Sequence, residues 1–315
     1  MNPANPALAN FAVLGSAYRD PVALMRQDAM AGGRIVAEFG SGVPPEIAIA
    51  AGCRVVAFRP DPERSCEFAG RYLGPGMDFN IRGGLDALLS GQLNMVELAV
   101  MTTRYEIDAL LYHSAKEVRR RGEGEMLPPL HLYALLGAPA VAAQQYGLQQ
   151  TRRLAARLHA VTGVLADNAR IAAAVGLMNR IRGLAGQLQT HRLEGRLTGA
   201  AAMTILGTGR IIDPETYATP LAELVEQLPN AATENSPRIL LVSSGALSQN
   251  LLHQAVESAG ALVVMEDSAW GSRAFGPPIA LDRADAPMSA NVCPTSPITT
   301  CHSAANTPGP PSLEM

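Results

Sequence analysis

RIVAEFGSGVPPEIAIAAGCRVVAF, residues 34–58, decides the fold. RIVAEF (34–39) is an apolar run of strand length. Gly40 and Gly42 then permit a tight turn, and Pro44, Pro45 and Glu46 suit the first turn of a helix. The helix EIAIAA stops at Gly52, which supplies a left-handed C-terminal position, and CRVVAF (53–58) is the next strand. So short a crossover between two apolar strands implies that they are parallel neighbours.

The same unit returns as RILLVSSGALSQNLLHQAVESAGALVVMED, residues 238–267. RILLV (238–242) reads as a strand, Ser243–Gly245 as the turn, then a helix runs to Gly260 and ALVVME (261–266) is the second strand. Both copies end their helix on Ala-Gly and continue into a Val-Val strand. Their separation suggests two similar domains of α/β class, with a helical layer between them. That layer begins with PAVAAQQYGLQQTRRLAARLHAVTG, a long helix stopped by Gly163. ADNARIAAAVGLMNRIRGLAGQLQTHR is a second, and DPETYATPLAELVEQL a third, with Asp213 as cap and Pro214 at the first position. Earlier, Asp20 and Pro21 open a helix over 21–30, and YEIDALLYHSAKEVRRRG (105–122) is amphipathic with a basic last turn. MLPPLHL resembles a strand edge with proline punctuation. The expected boundaries are an N-terminal segment 1–30, a first α/β domain 31–138, a helical region 139–236 and a second α/β domain 237–286. From Pro287 the sequence becomes Ser/Thr/Pro-rich without periodicity, which reads as a disordered tail over 287–315.

Composition narrows the function classes. The net charge is −3 with a pI near 6.1, which gives no electrostatic case for nucleic acid. No apolar run has bilayer-spanning length, and MNPANPALAN is no signal peptide, so the expectation is a cytoplasmic protein with no membrane partner. Cys53, Cys66, Cys293 and Cys301 are widely spaced without a C-x-x-C pair, and a disulfide scaffold is not expected.

GSGVPP after a strand invites comparison with a nucleotide-binding loop of a methyltransferase or dehydrogenase. The third fingerprint glycine is replaced by Pro45, and a proline pair removes N–H donors that would meet a phosphate. Glu46 is either an acid favoured by the helix dipole or a site acid. Glu266 and Asp267 follow a strand's C-terminal end, where ligands gather in open α/β sheets, or are simply loop acids. Trp270 sits in the same loop. His113 lies on the 105–122 helix; Cys301-His302 could bind metal but falls in the tail.

The order of the pieces is more specific than any one of them. VPPEIAIAAG (43–52) resembles the V-P-x-E-h-h-x-A-A-G segment of the 2-hydroxyacyl-CoA dehydratase and benzoyl-CoA reductase family. Similarity continues through RYLGPGMDFNIRGGLDALLSG (71–91), YEIDALLYHSAKE (105–117), the stretch 160–184, RILLVSSG and SAGALVVMEDSAWGSRAF (258–275). The resemblance, over about 30–285, is to a D-like subunit. It implies two Rossmann-like parallel-sheet domains, a homologous second subunit and a separate ATP-dependent activator. It also implies a CoA thioester reduced by one electron to a ketyl radical, and a [4Fe–4S] cluster on cysteine thiolates.

At the positions that resemblance assigns to the thiolates stand Met77 or Asp78, Tyr105 and Ser268. The expectation is therefore a subunit that holds no cluster, forming part of a CoA-thioester cleft with a catalytic partner or standing as a non-catalytic relic. The second domain is expected to be incomplete, through truncation, frameshift or divergence. Glu46, Asp267 and Arg273 are the candidate catalytic residues, and Arg82 and Trp270 the candidate substrate contacts. The alternatives are an active iron–sulfur subunit with unusual ligands, Cys53 and Cys66 among them, and a nucleotide-binding Rossmann-like enzyme.

Overall fold

The computed structural model describes Gly15 and residues 18–103, 106–138, 140–230, 233, 235–242 and 250–280. The turn Ser243–Gly245, Tyr105, Cys293, Cys301, His302 and the tail 287–315 lie outside the described residues.

The first unit forms a four-stranded, all-parallel sheet in the order β2-β1-β3-β4. Its strands are β1 (Ile35–Phe39), β2 (Arg54–Ala57), β3 (Leu98–Thr102) and β4 (Leu130–Tyr133). The crossover from β1 to β2 is α2 (Pro45–Ala50), preceded by α1 (Pro21–Met30), whose Asp20 cap accepts from Ala23 N at 3.0 Å. α3 (Phe79–Leu89) and α4 (Glu106–Arg120) complete the unit. Both faces of the sheet are covered. Ile35, Ala37, Phe39, Ala99 and Met101 belong to the larger apolar cluster; Val36, Leu98, Val100 and Tyr133 belong to the other, with α2. Burial on both sides is why β1 and β3 read as continuous apolar runs rather than alternating ones. The parallel pairing of β1 with β2 expected from the short crossover is observed, with Val36 opposite Val55.

Four further helices follow: α5 (Val141–Thr162), α6 (Asn168–Leu193), α7 (Gly199–Thr208) and α8 (Pro214–Gln227). Gly163 ends α5 at φ 72° in the left-handed region, and Asp167 and Asp213 cap α6 and α8. At 26 residues α6 is about 39 Å long, enough to reach from one sheet to the other. Near its start Arg170 Nε donates to Ala50 O at 2.6 Å; near its end Gln189 donates to Val264 O at 2.8 Å. The larger apolar cluster runs without a break from β1 and β3 through α6, α7 and α8 to Trp270.

The second unit is smaller. β5 (Arg238–Leu241) pairs in parallel with β6 (Leu262–Glu266), and α9 (Leu251–Ser258) precedes β6. β6 is largely buried against the helices, but Leu240 of β5 is 57 % exposed. The architecture is thus α/β with two parallel sheets and a helical layer. Among the described residues no helix is long and apolar enough to cross a membrane.

Candidate functional site

The chain leaves β1 toward β2 on one side and builds β3 and β4 on the other, so the sheet's switch point lies between β1 and β3. Loops diverge there and leave a crevice at the carboxyl ends of the strands. Glu38, next to last in β1, is 3 % exposed and turns its carboxylate into this crevice's wall. Its Oε1 accepts from Val43 N at 2.8 Å and its Oε2 from Arg210 Nη2 at 2.6 Å. Ser41 N donates to Thr102 Oγ1 at 3.1 Å, which ties the turn after β1 to the end of β3. Gly40 has φ 93°, and a Cβ there would collide with Thr102 and Asp108; only glycine suits this close approach. With Ser41 N and Val43 N engaged inside the protein and two prolines after them, the loop is poorly furnished to cradle a phosphate.

Glu46, in the first turn of α2, is 1 % exposed and ion-paired with Arg182 of α6. Arg182 also donates to Phe275 O at 3.0 Å and to Asn179 Oδ1 at 3.2 Å. Asn179 in turn brackets Ile279, giving its amide to Ile279 O and accepting from Ile279 N, both at 2.7 Å. The segment after β6 is therefore laid across the end of the first sheet. Between them is a cavity of about 180 Å³, lined by Glu38, Ser41, Glu46, Arg182, Arg210 and Arg273, with Met178, Ile212 and Phe275 among its apolar walls.

The end of β6 carries a second buried charge cluster. Glu266 accepts from Arg192 on both oxygens, from His253 Nε2 at 2.9 Å and from Ser272 N at 2.6 Å. Arg192 and His253 are fully buried. Burial pushes the Glu266 carboxyl up, but the His253 and Arg192 contacts outweigh it and hold the group at about 2. Asp267, beside it, pairs with Arg273 at 2.7 Å, both partly exposed.

Trp270 is 4 % exposed and lies between two guanidinium groups. The Arg210 group is 4.9 Å from its ring and that of Arg59 is 5.7 Å away, with Tyr18 edge-on at 6.3 Å. Arg210 lines the smaller cavity. Arg59 and Tyr18 line a larger one, about 620 Å³, bounded also by Cys66, Asp86 and Asn250. The indole is the filling of the wall between the two.

The structure thus brings Glu46 and Arg273 to one cavity, with Asp267 paired to Arg273, and puts Trp270 behind the cavity wall. Arg82 is elsewhere, on α3, with Nη1 3.3 Å from Pro75 O. His113 is exposed on α4 against Tyr112. Sequence reasoning missed Glu38, Ser41, Arg182 and Arg210. The available signal was Glu38 itself, since a charge inside an apolar strand requires a buried partner.

A [4Fe–4S] cluster needs a set of soft thiolates. Met77 packs on the larger apolar cluster, and Asp78 caps α3 by accepting from Asn80 N at 2.8 Å. Ser268 is fully buried and accepts from Trp270 N at 3.1 Å. Burial pushes the Cys53 thiol up to about 12, and it donates to Ala48 O. Burial also raises the Cys66 thiol. Among the described residues no three of His, Cys, Asp or Glu stand close enough together to hold a metal ion. The described residues do not fit the cluster.

Residues 41–294 match the family described as 2-hydroxyglutaryl-CoA dehydratase, D-component. No curated protein matches the chain. The matched stretch begins in the turn after β1 and takes in both cavities' principal walls.

Proposed function

The chain belongs to the 2-hydroxyglutaryl-CoA dehydratase, D-component family, and from that premise we propose that it is a cluster-free subunit of a 2-hydroxyacyl-CoA dehydratase-type assembly. The observation that carries this reading is chemical. The positions assigned to thiolate ligands by resemblance hold Met77 or Asp78 and Ser268, and these side chains pack, cap a helix and brace a turn. In this reading the one-electron step on the CoA thioester, of dehydratase or benzoyl-CoA reductase type, takes place on a homologous partner subunit served by an ATP-dependent activator. This chain contributes shape: two cavities separated by the Arg59–Trp270–Arg210 wall, between sheets joined by α6. The assembly acts in the cytoplasm.

Iron and acid-labile sulfide, measured on the full chain purified without oxygen, test the proposal. The expected result is far less than one cluster per chain. A stoichiometric cluster that resists gel filtration would overturn it and favour unusual ligands, for which Cys66→Ser should then remove the iron.

A further inference from the structure

The smaller cavity has polar groups whose hydrogen-bonding capacity the protein leaves unused. Glu46 is 1 % exposed, and while its Oε1 meets Arg182, its Oε2 has no hydrogen-bond partner. Ser41 is 8 % exposed, and its Oγ has none either. Both residues line the same space. Leaving a buried carboxylate oxygen unsatisfied costs about 1–3 kcal/mol or more, so the arrangement is best explained by a group that comes from outside.

The chemistry of that group follows from what is already paired. Every guanidinium on the wall has a carboxylate of its own: Arg210 with Glu38, Arg182 with Glu46, Arg54 with Asp28 and Arg273 with Asp267. The charges on this wall are thus matched in pairs, although Arg273 Nε makes no hydrogen bond and remains a donor for a carbonyl oxygen. The unsatisfied atom of Glu46 is itself a carboxylate oxygen, which repels an anion. Glu46 Oε2 can only accept; Ser41 Oγ can donate or accept. The remaining walls are mainly apolar, from Val43, Ile49, Val55, Met178, Ile212 and Phe275, with Ser272, whose hydroxyl is engaged by Glu266. A volume of about 180 Å³ is comparable with cavities known to take a ring of roughly six heavy atoms.

We propose that this cavity is a binding site for a small neutral ligand bearing a hydroxyl or amide N–H donor, which is received by Glu46 Oε2 with Ser41 Oγ beside it. The site belongs to this chain's own residues, so a cluster found in the iron assay would leave it standing. Two probes of the same size and shape separate the charge states, 2-hydroxyisobutyramide and the 2-hydroxyisobutyrate anion. Each is titrated into the full chain by calorimetry, with saturation-transfer NMR as a second readout. The amide should bind at least tenfold more tightly than the anion. Ser41→Ala should weaken amide binding severalfold, and Met178→Trp, which fills the cavity, should abolish it with circular dichroism unchanged. Equal or tighter binding of the anion would overturn the proposal. So would unaltered binding by Ser41→Ala, or no binding of the amide at all, which would mean that water alone serves these atoms.

Discussion

Two stretches of this chain look alike as sequence and are held in place by different means. In the first unit, β1 and β3 are buried along their whole length, between apolar clusters on both faces. In the second, β5 alternates between exposed and half-buried, and the sheet has two strands among the described residues. β6 buries Leu262 and Val263, and it is further fastened by charge. Arg192 reaches from α6 to Val263 O at 3.0 Å and to both oxygens of Glu266, and His253 closes the cluster from α9. A two-stranded sheet has too little apolar area to stand by itself, so it borrows rigidity from the long helix beside it. The same strand–turn–helix–strand pattern therefore specifies topology, while the neighbours decide what stabilises it.

The sharpest way to break that contrast is Arg192→Met. It leaves the Glu266 carboxylate buried without its main partner, and should cost about 3–5 kcal/mol by urea denaturation. The loss of hydrogen-exchange protection should concentrate in β5, α9 and β6. Equal loss in β1 and β3 would show that the two units are one cooperative block.

Acid offers the next test. The folded Glu266 carboxyl titrates near 2, against an ordinary 4.5, so it binds protons more weakly than in the unfolded chain. Its stabilisation is full above pH 4.5 and is lost as pH falls toward 2. Amide exchange followed through that window should show β6 opening before β3 does, and Glu266→Gln should flatten the dependence.

A pair of leucines supplies the third comparison. Leu98→Ala in β3, fully buried, should cost about 2–5 kcal/mol, by lost transfer energy and the cavity left behind. Leu240→Ala in β5 should stay within about 0.5 kcal/mol, because that side chain is already in solvent. A large effect at Leu240 in gel-filtered full chain would mean that another surface covers β5.

Much of the architecture was legible where local chemistry is punctuated. Asp20, Asp213 and Gly163 mark their helix ends in sequence and do so in the structure. β3 escaped notice: LAVMT lies buried on both faces and has neither the alternation of a surface strand nor a glycine turn before it. α7, GAAAMTILGT, is buried on nearly every side and so lacks a helical stripe. The candidate site divides in the same way. Glu46 stands out because a helix start is visible around it, whereas its partner Arg182 is 136 residues away and nothing local announces the pairing. Ser41 and Arg210 become partners of this crevice only when the sheet, α6 and the segment after β6 are assembled.

Trp270 is the chain's single tryptophan, and both guanidinium groups that flank it come from outside its own unit. Its fluorescence therefore originates at one seam of the molecule. Emission colour and quenching should follow the docking of the second sheet onto the first and remain silent to fraying elsewhere, so the protein carries its own optical gauge of whether its two halves are together.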